Sequence, residues 1–241
     1  LLTGAFWLTY SAKMEDATNA NYIAAGEQAH EKAQRAVELA SGPTGIPEQG
    51  ALHLLHHDPK TLGPILFAAH CSSCHRFDGH DGTGNVPLDT SSAPDLKDFA
   101  SRAWLTDLLK PEHIATKRYF GETAFRNGDM VRFVNKKVSQ FDKEEKLALE
   151  RAIKALSAEA GLSRQAEVEE VETDLIVLGK EDLGYELGCS DCHAFHFEDD
   201  DADGPDLTGY GSREWMKSFI SDPGQKRFYG ENNDRMPSFL T

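Results

Sequence analysis

Cysteine is scarce in this chain, with only four residues in 241. Basic residues are in the minority too: 25 Lys and Arg stand against 40 Asp and Glu, a formal net charge of −15. That balance argues against nucleic acid as a partner. It favours docking to a basic surface, an attraction that salt would weaken, or it serves solubility alone. Long apolar runs are missing. The opening Leu1-Leu2-Thr3-Gly4-Ala5-Phe6-Trp7-Leu8-Thr9-Tyr10 is apolar but too short to span a bilayer, and no basic n-region marks an intact signal peptide. Trp7 and Tyr10 close it, where an interfacial aromatic belt would lie. The segment reads as the last turns of a membrane helix, against the alternative of a buried N-terminal segment. A hydrophobic fraction of 39% and a mean hydropathy of −0.50 argue against one large apolar core. The length suits about two domains.

What is present is concentrated in two places. Cys71-Ser72-Ser73-Cys74-His75 and Cys189-Ser190-Asp191-Cys192-His193 are two copies of C-x-x-C-H, and together they use every cysteine. This is the attachment signature of c-type haem. Two thiols add across the two vinyl groups of one porphyrin, and the adjacent histidine reaches the iron. Other C-x-x-C readings are a zinc half-site, a redox dithiol or a disulfide. Zinc wants four ligands brought together, and the histidine is surplus to a dithiol. The expected cofactors are two covalent haem c groups, with His75 and His193 as proximal ligands. Such groups mature outside the cytoplasm, which points to the periplasmic side of a bacterial membrane or an equivalent compartment. Two small domains folded around porphyrins also suit the modest hydrophobic content.

The expected fold is all-α: two tandem haem domains preceded by an N-terminal helical segment. Residues 1–57 form the membrane-proximal segment, with a helix over 20–41 carried by Tyr22, Ala25, Ala29, Ala33, Ala36, Val37 and Ala40. Gly42-Pro43 ends it. His53, His56 and His57 follow, read as surface or packing residues, with one of them an alternative haem ligand. Residues 58–160 form the first haem domain. It closes with an amphipathic helix from Asp142 to about Ala158, where Asp142 and Glu145 make a capping box and Leu147, Leu149, Ala152 and Leu156 are apolar. Residues 161–177 are an acidic linker. Residues 178–241 form the second domain, which lacks a closing C-terminal helix. Its first helix is therefore expected to expose apolar surface around Leu183 and Leu187.

An internal repeat supports this division. Pro94-Asp95-Leu96 is answered by Pro205-Asp206-Leu207, and Ser101-Arg102-Ala103-Trp104 by Ser212-Arg213-Glu214-Trp215. Lys117-Arg118-Tyr119-Phe120-Gly121 is answered by Lys226-Arg227-Phe228-Tyr229-Gly230, and Asn127-Gly128-Asp129-Met130 by Asn233-Asp234-Arg235-Met236. Each set follows its own C-x-x-C-H in the same order.

The repeat nominates the distal ligands. Met236, followed by Pro237, is the candidate for the second haem, with Met216 its rival. Met130, expected in a loop after Gly128, is the candidate for the first, with Met14 and His113 as alternatives. Methionine opposite histidine raises the potential and suits electron transfer. Trp104 and Trp215 pack at the haem edge or are plain core aromatics. Arg102 and Arg213 pair with haem propionates or are solvated at helix starts. Tyr119, Phe120, Phe228 and Tyr229 are expected pocket walls. The acidic run Glu198-Asp199-Asp200-Asp201-Ala202-Asp203 reads as a solvated loop; a docking patch or a weak calcium loop is the alternative, although the spacing is not that of an EF-hand.

With motifs, methionines and repeat assembled, the chain resembles a dihaem cytochrome c of two class I-type units. The resemblance runs over Leu66–Met130 and Cys189–Phe239. More narrowly, the apolar start, the helix over 20–41, Gly63-Pro64-Ile65-Leu66-Phe67 and Arg235-Met236-Pro237 resemble the c-type part of bacterial quinol-oxidising cytochrome bc complexes. That resemblance implies an electron carrier rather than an enzyme. Its partners would be a cytochrome b and a Rieske-type subunit, or another membrane donor, and a redox acceptor protein. Similar subunits feed electrons into haem-copper oxidases and periplasmic dehydrogenases. The rival class is a dihaem peroxidase, which would need an open distal face. A haem-based sensor would need a signalling domain, and none is visible.

Overall fold

Asp58, Ser101, Asp142 and Ser212 each accept from free N–H groups in the first turn of the helix that follows. The computed structural model describes residues 2–197, 202–233 and 235–240. Its helices are α1 (Leu2–Thr18), α2 (Ala20–Ala40), α3 (Ala51–His57), α4 (Pro59–His70), α5 (Arg102–Leu108), α6 (Pro111–Ile114), α7 (Asp129–Lys136), α8 (Lys143–Glu159), α9 (Ala166–Val171), α10 (Thr173–Glu181) and α11 (Arg213–Ser221). No strand occurs among the described residues, only isolated bridges such as Arg76–Asp95. The architecture is helical, as expected.

The chain divides into two units. One comprises Leu1–Cys71 with Asp81–Asn85, the other Ser72–His80 with Val86–Thr241. In the first, the helix expected over 20–41 forms as α2, and Asn19 caps it by accepting from Asn21 and Tyr22 N–H at 3.0 and 3.2 Å. Neither α1 nor α2 buries a residue. No described helix is long and apolar enough to cross a membrane. Arg35 of α2 grips Asp58 with two bonds, Nε to Oδ2 at 3.0 Å and Nη2 to Oδ1 at 2.7 Å. Asp58 meanwhile caps α4 by accepting from Thr61 N–H at 3.0 Å. The guanidinium holds its carboxyl far below the usual range, although burial opposes this.

The second unit is built on α8. Its capping box is the one the sequence predicts: Asp142 accepts from Glu145 N–H at 3.0 Å, and Glu145 accepts from Asp142 N–H at 2.8 Å. Ala152 and Leu156 are buried, whereas Leu147 is exposed. Along α8 lies α10. The approach is closest at Gly179, where a Cβ would sit 2.0 Å from the Arg151 carbonyl oxygen. Ion pairs line the contact. Arg151 holds Asp182 with bonds of 2.7 and 3.0 Å, Lys154 holds Glu172 at 2.8 Å, and Lys180 holds Glu159 at 2.8 Å.

This packing corrects the expectation of exposed apolar surface on the first helix of the second domain. Leu183 and Leu187 are buried, 5% and 1% exposed. They join the same apolar cluster as α8's Ala152, Ala155 and Leu156. Each contributes about 1.5–3 kcal/mol on full burial. Sequence order hid the cover, because α8 precedes the second motif instead of following it. Residues 161–177, read as a linker from their acids, contain α9 and the start of α10. Glu172 there is neutralised by Lys154 and Arg102. Met130, expected in a loop, lies in the first turn of α7. Glu198, Asp199, Asp200 and Asp201 of the acidic run lie outside the described residues.

Gly179→Leu is expected to force α8 and α10 apart and destabilise the fold by about 1–3 kcal/mol, measured as a lower urea midpoint. A second expectation concerns Glu159, which also accepts from His196 Nε2 and Gly209 N–H, both at 2.9 Å. Burial opposes its ionisation, but Lys180, His196 and Gly209 outweigh that and hold the carboxyl below the ordinary glutamate range. A depressed folded-state pKa gives stability that is complete above the unfolded value and is lost as pH falls through the folded one. Glu159→Gln should thus be less stable than the parent above about pH 5, with the gap closing below about pH 4. Urea midpoints across that range would read it.

Candidate functional site

The two C-x-x-C-H segments lie at helical turns. Cys71 caps the C-terminus of α4, its N–H bonded to Phe67 O at 2.8 Å. Cys189–Asp191 forms a single 3-10 turn after Gly188, which sits at φ 72°. Burial pushes the Cys189 thiol up to about 11, and burial raises Cys192 as well. Both are thiols rather than thiolates at neutral pH.

The histidines of the motifs are held alike. His75 Nδ1 lies 2.8 Å from Pro94 O, and His193 Nδ1 lies 2.7 Å from Pro205 O. A carbonyl oxygen only accepts, so Nδ1 carries the proton and donates, and the lone pair is left on Nε2. Burial lowers both imidazole pKa values, against the opposing pull of the proline carbonyls. Both rings are therefore neutral, in the tautomer a metal ion needs. Gly204 tightens the second ring's seat: a Cβ there would lie 2.6 Å from His193 Cε1 and 2.7 Å from Nδ1.

The surrounding bonds repeat as the sequence blocks do. Asp95 N–H donates to Arg118 O at 2.9 Å and Asp206 N–H to Arg227 O at 2.8 Å. Leu96 N–H donates to Arg76 O at 2.8 Å and Leu207 N–H to Ala194 O at 2.9 Å. Ser101 caps Trp104 N–H, and Ser212 caps Trp215 N–H, each at 3.1 Å. Trp104 Nε1–H donates to Asp95 O at 3.3 Å, and Trp215 Nε1–H to Asp206 O at 3.0 Å. Left-handed backbone recurs in register as well: Asp98 and Ala100 (φ 60° each) match Gly209 and Gly211 (φ 70° and 74°).

The two halves meet through equivalent residues. The Phe99 and Tyr210 rings are 5.2 Å apart, and each sits edge-on to its own tryptophan, at 4.9 and 5.2 Å. A Cβ on Gly211 would lie 2.3 Å from that of Ala100. Contact of a residue with its own counterpart is the mark of a two-fold relation between repeats. Sequence reasoning recorded the proline and serine blocks without giving them a task, and it missed Phe99, Tyr210 and Gly204. The proline blocks were the signal available, since a carbonyl that recurs after each motif histidine, here 19 and 12 residues on, is what an imidazole fixed through Nδ1 needs.

The other nominated residues take these places. Trp104 and Trp215 are core residues, 5% and 6% exposed. Tyr119 is buried and its phenol is pushed up to about 12 by burial. Tyr229 stacks on Phe125 at 5.4 Å. Met130 is partly buried against the core, and Met236 is half-buried, its carbonyl accepting from Asn233 Nδ2 at 2.9 Å. His113 is engaged by Asp107 at 2.5 Å through Nδ1. Arg102 Nη1 donates to Glu172, while its Nε and Nη2 are buried without a partner among the described residues. Arg213 is exposed. The His53 and His57 rings lie 3.9 Å apart, tilted by 31°, and among the described residues no group of three or more His, Cys, Asp or Glu side chains is placed to hold a metal ion.

A neutral imidazole fixed through Nδ1, behind two thiols spaced by two residues, fits a c-type haem. Residues 61–150 match the family model for cytochrome c. No curated protein and no solved structure matches the chain. The cytochrome c domain thus includes the first C-x-x-C-H, Trp104, Tyr119, Met130 and the first half of α8. It supports electron transfer through haem as the chemistry of this chain.

Gly204→Val is expected to displace the His193 ring from Pro205 while leaving the His75–Pro94 bond intact. Nitrogen-edited proton NMR would show one imidazole N–H resonance lost and the other retained.

Proposed function

We propose that the chain binds two haem c groups and relays electrons between a membrane donor and a redox acceptor. The observation that carries this reading is the duplicated histidine anchor, His75 on Pro94 and His193 on Pro205, each behind its own pair of cysteines. Cys71 and Cys74 hold the first group by thioether bonds, Cys189 and Cys192 the second. His75 and His193 ligate through Nε2. Haem c, when bound, supplies one-electron exchange at iron. Met130 and Met236 would hold the iron together with His75 and His193, which would close it to small molecules and favour a high potential. Trp104, Trp215, Tyr119 and Tyr229 exclude water from the pockets. Arg102 and Arg213 would pair with the propionates; the unpartnered Nε and Nη2 of Arg102 suit such a role, although Glu172 already holds its Nη1.

The setting we infer is the cytochrome c component of a quinol-oxidising cytochrome bc-type complex on the periplasmic face of a bacterial membrane. The donor is then a cytochrome b and Rieske-type pair or another membrane protein. The exposed apolar residues of α1, among them Phe6, Trp7, Leu8 and Tyr10, support membrane contact at that end. No bond of a substrate is made or broken.

Intact mass of the mature chain should show two haems, and the Cys189→Ala/Cys192→Ala variant should show one. A single haem in the parent would refute the dihaem assignment. Carbon monoxide should not bind the reduced parent but should bind Met130→Ala and Met236→Ala at one haem each. Rapid binding to the parent would overturn the methionine ligation and favour a peroxidase.

A further inference from the structure

The two histidine anchors are not isolated from one another. His75 Nδ1–H bonds to Pro94 O at 2.8 Å. The next carbonyl along the chain, that of Asp95, accepts from Trp104 Nε1–H at 3.3 Å. Trp104 meets Phe99 edge-on at 4.9 Å, Phe99 meets Tyr210 at 5.2 Å, and Tyr210 meets Trp215 edge-on at 5.2 Å. Trp215 Nε1–H then donates to Asp206 O at 3.0 Å, one residue from Pro205, whose carbonyl holds His193 Nδ1–H at 2.7 Å. Each ring pair lies within contact range for aromatic groups. The sequence of links is the same read from either end.

The geometry points to this chain of contacts as the through-protein electronic link between the two proximal histidines, with Phe99 and Tyr210 as its central step. The inference rests on the dihaem reading. Electronic coupling falls off exponentially with the gap crossed, and it survives along covalent and hydrogen-bonded atoms better than across open space. Here every gap is either a hydrogen bond or a ring contact. The rings are buried or half-buried, so water does not interrupt the route. One electron passes from the His75 side to the His193 side, or the reverse. One iron is oxidised as the other is reduced, no bond forms or breaks, and the aromatic residues end as they began. Tyr210 keeps its phenolic proton, which burial holds far more tightly than in water. The tryptophans couple the carbonyl and the ring through one side chain, a task that a phenylalanine core residue cannot do.

The test uses the mature two-haem chain, reduced by one electron in a pulse experiment, with haem-to-haem exchange followed by visible absorption. Intact mass and equilibrium potentials are recorded for every variant. Phe99→Leu and Tyr210→Leu should slow exchange about tenfold or more, with both haems attached and both potentials kept. Tyr210→Phe should keep the parent rate, because the ring remains. Trp104→Phe and Trp215→Phe keep an aromatic ring at each position and remove the indole N–H, so they read the hydrogen-bonded links even if the leucine variants do not fold; each should slow exchange. Parent-like rates in the variants that load both haems would overturn the link and indicate exchange by direct approach of the porphyrins. A parent chain that carries one haem would overturn the dihaem reading instead, so the two failures are distinguishable by mass alone.

Discussion

A carbonyl oxygen that receives the Nδ1 proton of a histidine decides what that histidine can do. The bond fixes the tautomer, stops the ring from rotating, and leaves a single lone pair at a known place. In this chain that bond occurs twice, and the surrounding backbone is arranged to deliver it. The Pro-Asp-Leu segment is the hub of each half. Its proline carbonyl takes the imidazole, its aspartate N–H reaches an arginine carbonyl, its aspartate carbonyl takes an indole, and its leucine N–H ties back to the strand of chain behind the histidine. Losing the segment's register would release histidine, tryptophan and loop together.

The second dependence is on α8. It lies between the two C-x-x-C-H motifs in sequence, and the first helix of the second half packs along it. The acids that give the chain its net charge of −15 are partly neutralised at this contact, where Arg151, Lys154 and Lys180 meet Asp182, Glu172 and Glu159. Asp182 is buried, and a buried carboxylate without its arginine would be costly. The second half is thus not self-contained: its apolar helix face is covered by residues of α8 that come before it in the chain.

How much of this was legible beforehand follows from what each feature depends on. The motifs, the helix over 20–41, the capping box at Asp142 and the repeat blocks rest on local chemistry, and local chemistry is written in consecutive residues. The helix through 161–177 was hidden because a run of glutamates reads as solvated until its cations are found far away in sequence, at Arg102 and Lys154. The burial of Leu183 and Leu187 was hidden because their cover precedes them. Met130 was placed in a loop on the strength of Gly128, which in fact caps the start of α7. Gly204 and Gly211 looked like ordinary loop glycines. Their roles come from a neighbouring ring and a neighbouring methyl, neither of which leaves any trace in the local pattern.

The contact of Ala100 with Gly211 limits what can stand at the seam between the halves. These are counterpart positions, both left-handed, pressed together where the halves meet. A methyl on both sides would collide there, and beyond the glycine the space is already held by Ala160, whose Cβ would lie 3.2 Å from a Gly211 Cβ. The join therefore admits one methyl, and the two halves supply it from one side only.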